Sequence, residues 1–136
     1  MSTLPIVDAF TTYLADERHF SPYTARCYGA DLRQYVEFLV ADLKIEFDDA
    51  AERGAYERIA SGGKPSTTGK SRTLTEYICA TNADQIRGFL AHLGEQQYSP
   101  ATMARKIATL RSFYKWADRR SLSNGNPMTM IRTPRQ

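Results

Sequence analysis

Apolar residues return at helical spacing in four stretches of the chain. In "LPIVDAFTTYLADER", Ile6, Phe10, Tyr13 and Leu14 fall three or four residues apart, with Pro5 in the opening turn, so the pattern predicts a first helix. A second is predicted from Ser21 as N-cap, ahead of Pro22, to about Leu43, with Tyr28, Leu32, Tyr35 and Leu39 on one face. The third, "NADQIRGFLAHLGEQ", opens on an Asn cap with an acid in its first turn, and Ile86, Phe89, Leu90 and Leu93 make its stripe. The fourth starts at Ser99 and Pro100 and lines up Met103, Ile107, Leu110, Tyr114 and Ala117. The spacing assigns Tyr13, Tyr28, Tyr35, Phe113, Tyr114 and Trp116 to the core.

Between the second and third helices the pattern weakens. "DDAAERGAYERIA" fits a short amphipathic helix, "SGGKPSTTGKS" has the composition of a flexible linker, and "RTLTEYICA" leans towards a short strand or extended chain. A structureless loop of this length is uncommon inside a domain, which marks the region as functional or inserted. After the fourth helix, Asn-Gly-Asn-Pro stops the pattern and Pro134 forbids an early restart. The tail "SLSNGNPMTMIRTPRQ" reads either as the start of a linker or as a frayed terminus.

The second and fourth helices repeat one another with an offset of 78 residues. Ser21, Pro22, Thr24, Ala30, Leu32 and Arg33 match Ser99, Pro100, Thr102, Ala108, Leu110 and Arg111, and aromatics face aromatics at Phe20/Tyr98, Tyr35/Phe113 and Phe38/Trp116. Each Ser-Pro-x-Thr start leaves its first backbone N–H groups free and turns the positive end of the helix dipole outward, which suits a phosphate. Opposite the apolar stripes lie Tyr23, Arg26, Ala30 and Arg33 on one helix and Ala101, Arg105, Ala108, Ser112 and Arg119 on the other. Arg interleaved with small residues permits a close approach to a groove and contact with phosphates or guanine edges. The same pattern also describes a solvated face. Arg111 lies nearer the apolar edge, where a structural ion pair competes with a DNA role.

Composition is that of a folded globular chain: 136 residues, 42% apolar and 24% charged, enough for one domain that buries about two-thirds of its unfolded surface. The net charge of +3 conceals a polarity, since residues 1–60 carry a net −5 and residues 61–136 a net +8. A basic second half suits a polyanion, although an ordinary mixed surface accounts for it as well. No membrane span or secretory leader is legible, and Cys27 and Cys79 stand apart as reduced, structural thiols, so a cytoplasmic chain is expected. Neither His19 nor His92 has triad partners, "SGGKPS" lacks P-loop spacing, and Asp48/Asp49 read as solvated charge. No catalytic residue, metal site or cofactor is expected.

Taken in order, "AFTTYLADERHFSPYTARCYGADLRQYVEFL", "IRGFLAHLGEQQYSPATMARKIATLRSFYKWA" and "NPMTMIRTPR" resemble the N-terminal core-binding (SAM-like) domain of tyrosine recombinases, the phage-integrase and Xer-type family. The resemblance covers nearly all of the chain outside about residues 44–80. It implies an all-α, four-helix bundle of two helical hairpins over residues 1–122, with a partly irregular insertion at 44–80. Residues 123–136 would begin a linker to a C-terminal catalytic domain.

By the same resemblance the domain is half of a clamp on double-stranded DNA, with the second and fourth helices across the recombination half-site. The positions carried over are Ser21, Tyr23, Thr24, Arg26, Ser99, Thr102, Arg105 and Lys106, with Arg132 in the basic linker. Other protomers on DNA, in a synaptic tetramer of the full-length protein, are the further partners implied. The family's chemistry uses two Arg, a Lys, a His-x-x-Arg and a Tyr nucleophile, a set expected in the other domain; Pro22 and Glu95 stand where the Arg would follow each histidine. On this reading the chain positions a recombinase without cutting DNA. Two alternatives remain: a helical protein-interaction module, and a free-standing regulator that occupies recombinase sites.

Overall fold

The computed structural model describes residues 3–64 and 73–132. Within them lie six α-helices: α1 (Pro5–Asp16), α2 (Pro22–Leu43), α3 (Asp49–Ala60), α4 (Leu74–Ala80), α5 (Ala83–Gly94) and α6 (Pro100–Arg119). A single 3₁₀ turn follows at Pro127–Met130. The four helices that periodicity predicts are α1, α2, α5 and α6, and α2 ends at Leu43, where Lys44 turns into the left-handed region (φ 54°). Residues 65–71 of the linker-like stretch, and the tail from residue 133 that includes Pro134, lie outside the described residues.

Two aromatic groups join the long helices. Phe10 of α1 meets Phe113 edge-on at 5.4 Å and Trp116 at 5.4 Å, both on α6. Phe89 of α5 lies 5.0 Å from Tyr35 and 5.2 Å from Phe38, both on α2. Where α1 crosses α2 the backbones come close: a Cβ at Gly29 would sit 3.3 Å from the Thr11 methyl group, tighter than most side-chain contacts. The core is threaded by one polar chain. Tyr114 donates its hydroxyl proton to the carbonyl of Ile78 (2.9 Å), so the 3.0 Å contact between the hydroxyls of Tyr35 and Tyr114 has Tyr35 as donor. That relay ties α2 and α6 to α4.

The region between α2 and α5 is more helical than the sequence indicates. "DDAAERGAYERIA" forms α3 as expected, capped by the Asp48 carboxylate on the N–H groups of Ala50 and Ala51. "RTLTEYICA", expected as strand or extended chain, contains α4 instead. Its seven residues have mediocre helix propensity, so tertiary contacts decide. Thr73 and Glu76 form a capping box, while the buried carboxylate of Glu52 on α3 accepts from the N–H groups of Leu74 (3.0 Å) and Thr75 (2.8 Å) and from the Thr75 hydroxyl (2.7 Å). Arg58 then pairs with Glu76 at 2.8 Å. The tail also differs from an extended linker at its start: the 3₁₀ turn buries Met128, and Ile131 is buried after it, with Arg87 and Arg111 donating to the carbonyls of Met130 and Ile131.

Burial raises the Cys79 thiol and the Tyr35 phenol to about 12 each, against ordinary values of 9.0 and 10.0. Above pH 9 the unfolded chain therefore loses protons that the folded chain keeps, so stability falls as pH rises. Denaturant unfolding should give a midpoint that declines from about pH 9 up to about pH 12, with Cys79 resisting alkylation until the chain unfolds. A midpoint that is flat through this range would remove the buried groups from the account.

Candidate nucleic-acid interface

The two Ser-Pro-x-Thr starts are built alike, atom for atom. Ser21 (φ −61°, ψ 153°) and Ser99 (φ −62°, ψ 156°) are extended N-caps. Each serine oxygen accepts from the backbone N–H three residues on, at 3.1 Å from Thr24 and 3.2 Å from Thr102. Each serine also donates its proton to the threonine oxygen, at 2.9 Å and 3.0 Å. The hydroxyl protons of Thr24 and Thr102 are thereby left to donate elsewhere.

This geometry narrows the phosphate expectation. Proline has no N–H, the third N–H is held by serine, and Ala25 and Met103 already bond to the carbonyls of Ser21 and Ser99. What each start offers outward is one backbone N–H, at Tyr23 or Ala101, and one threonine hydroxyl. Helix starts of this kind still favour an anion through the dipole.

Around them the predicted side chains separate into two groups. Tyr23 is 70% exposed, and Arg26, Arg33 and Arg132 are exposed. Arg26 and Arg33 also line a cavity of about 190 Å³ between α1 and α2. Arg105 and Lys106 are instead engaged by an acid that sequence reasoning did not single out. The Asp31 side chain, 4% exposed, accepts from Arg105 at 2.8 Å, from Lys106 at 3.0 Å and from the Thr109 hydroxyl at 2.9 Å. The hydrogen bond to Asp31 is the main reason the Arg105 guanidinium is held above its ordinary pKa, and Cys27 and Tyr23 lie within its electrostatic reach.

Lys106, expected beside Arg105 on the DNA face, is enclosed. Its side chain is 10% exposed, its ammonium donates to Gln34 at 2.7 Å as well as to Asp31, and it stands 4.9 Å from the Tyr98 ring centroid. Gln34 completes the group by donating to the Tyr98 hydroxyl at 2.8 Å. A signal for this was present in the sequence: Asp31 sits three residues after Tyr28 and beside Leu32, inside the apolar stripe, where a carboxylate requires a partner. Arg105 keeps 47% of its side chain exposed, so it alone of the pair both braces α2 and faces solvent. Among the described residues no three potential ligands are grouped to hold a metal ion, and no helix is long and apolar enough to cross a membrane.

Removing the carboxylate strands a buried ammonium, whereas removing Arg105 leaves Asp31 with two donors. Asp31→Ala should therefore cost about 3–5 kcal/mol in denaturant unfolding, and Arg105→Ala about 1 kcal/mol or less. Equal losses from the two would show that the carboxylate is not the centre of the group.

Residues 70–121, which take in α4, α5 and α6, match the family model described as "Phage integrase, N-terminal SAM-like domain". The chain is also similar to proteins named tyrosine recombinase XerC. It is 30% identical to that of Oceanobacillus iheyensis over 129 residues (95% of this chain, 32% of the relative). It is 27% identical to that of Myxococcus xanthus over 134 residues (98% and 34%) and 28% identical to that of Roseiflexus castenholzii over 129 residues (95% and 31%). The chain thus spans about a third of the length of these relatives. No solved structure matches it. Its helical fold and these relatives agree: the chain is similar to the N-terminal SAM-like domain of phage integrases over residues 70–121 and, along nearly its whole length, to part of the XerC tyrosine recombinases.

Proposed function

We propose that this domain binds double-stranded DNA as half of a clamp on a recombination half-site, and that strand cutting and rejoining belong to a separate catalytic domain. The observation that carries the reading is the pair of matched helix starts, each with one outward N–H and one unengaged threonine proton, joined through the contact of Arg105 with Asp31. Tyr23, Arg26 and Arg33 extend the surface along α2, and Arg132, exposed after Ile131, is the basic residue of the linker in this reading. On the same reading the backbone N–H groups of Tyr23 and Ala101 and the hydroxyls of Thr24 and Thr102 meet phosphates directly, and Ser21 and Ser99 orient them as caps. Lys106 serves from behind, holding α2 and α6 in register. Residues 1–122 form the binding domain, the segment from 123 leads into the linker, and other protomers of a recombinase are the protein partners on DNA.

Salt dependence separates this from a protein-interaction module, because counterion release accompanies phosphate contacts and not an apolar helix interface. With roughly five phosphate contacts, the slope of log affinity against log salt should be near −4 to −5. Fluorescence anisotropy with a labelled duplex of about 30 base pairs, at several salt concentrations, measures it. Arg26→Ala should weaken binding at unchanged melting temperature, while Arg105→Ala should weaken binding with a small loss of stability. Absence of binding at low salt would transfer the domain to the protein-interaction class.

A further inference from the structure

A second basic site lies at the far end of α6 from Ser99, with Phe20, the residue before the Ser21 cap, on its wall. Between the C-terminal ends of α1 and α6 is a cavity of about 180 Å³ whose aromatic walls include Tyr13 and Trp116. Arg18, Lys115 and Arg119 line it together with the hydroxyl-bearing Ser112, and no described acid does. None of these three cations forms an ion pair with a described residue, while the nearby Arg120 is occupied by Glu17 at 2.8 Å. Trp116 also holds the one buried side-chain nitrogen without an acceptor among the described residues. The three cations are exposed, Arg18 also lying over the Phe20 ring at 5.5 Å, and with no described acid in the lining an anion seated there would be attracted by all three.

We infer that this cavity seats a backbone phosphate of duplex DNA, at the far end of the face that begins at Ser99; the inference rests on the DNA-binding reading above. Arg105, Ala108, Ser112, Lys115 and Arg119 recur every three or four residues, so the cavity lies on the same side of α6 as Arg105. Arg105 to Arg119 spans about 21 Å at about 1.5 Å per residue. The major groove is only about 12 Å wide. A helix that meets the duplex along this stripe therefore carries its last turns past the groove and onto a flanking strand, where it meets phosphates rather than base edges. Arg119 in that last turn also offsets the negative end of the dipole, which would otherwise repel the anion.

The test uses the whole chain, with duplex anisotropy at several salt concentrations and the emission of Trp116, the only tryptophan. Lys115→Ala/Arg119→Ala should bind more weakly, with a salt slope smaller in magnitude by about one. Arg18→Ala, on the other wall, should weaken binding as well and serves if the double variant loses its helical circular dichroism. Wild-type Trp116 emission should change as duplex is added. If wild type binds with a steep slope and the folded variants match it in affinity and slope, the cavity is not a phosphate seat and the helix-start reading stands. If wild type does not bind, the DNA reading itself fails and this inference with it. A saturable response of Trp116 to inorganic phosphate at constant ionic strength, with duplex binding unaltered in the variants, would assign the cavity to free phosphate and overturn the duplex assignment.

Discussion

The buried carboxylate of Asp31 governs how the two long helices meet. It draws Arg105, Lys106 and Thr109, from little more than one turn of α6, onto one point of α2. Apolar side chains tolerate small shifts in packing, but a desolvated charge does not, because losing its donors leaves an unpaired ion in a low-dielectric setting. Sliding α6 by one turn would take the ammonium and the hydroxyl off the carboxylate together. Ser21 stands ten residues before Asp31 and Ser99 six before Arg105, so fixing this crossing also fixes the relative placement of the two helix starts.

The starts are alike in their caps and unlike in their surroundings. Arg26 reaches solvent without an ion-pair partner among the described residues, whereas Arg105 is held in a salt bridge before any ligand arrives. A guanidinium oriented in advance loses less side-chain freedom on binding, at the cost of sharing its charge with the acid that orients it. The α2 start also carries an exposed tyrosine where the α6 start has alanine. The sequence repeat therefore produces two related but inequivalent surfaces.

Long helices with proline at the first position and a stripe of apolar residues were legible, since each local signal agreed with the tertiary outcome. α4 was not, because all seven of its residues except Ala80 are buried and a helix enclosed on every side has no polar face to set a period. Its stabilising contact comes from Glu52, which is 22 residues before Leu74, a separation no local pattern spans. A helical wheel placed Arg105 by angle and the family resemblance supplied Lys106, and neither could show what faced them. The number of free N–H groups at each start was overestimated for a similar reason: the serine and its carbonyl already take two of the donors.

Glu52 and Arg58 hold α4 from α3, on one side of a connection that runs from Lys64 to Thr73. α3 and α4 are thus held to each other by their own contacts. Closing a loop costs only about 0.6 kcal/mol for each doubling of its length. Length added between α3 and α4 would therefore cost little while the α2–α6 crossing stays as it is. The contacts that fix that crossing, Asp31 with Arg105, Lys106 and Thr109, all lie on α2 and α6 themselves.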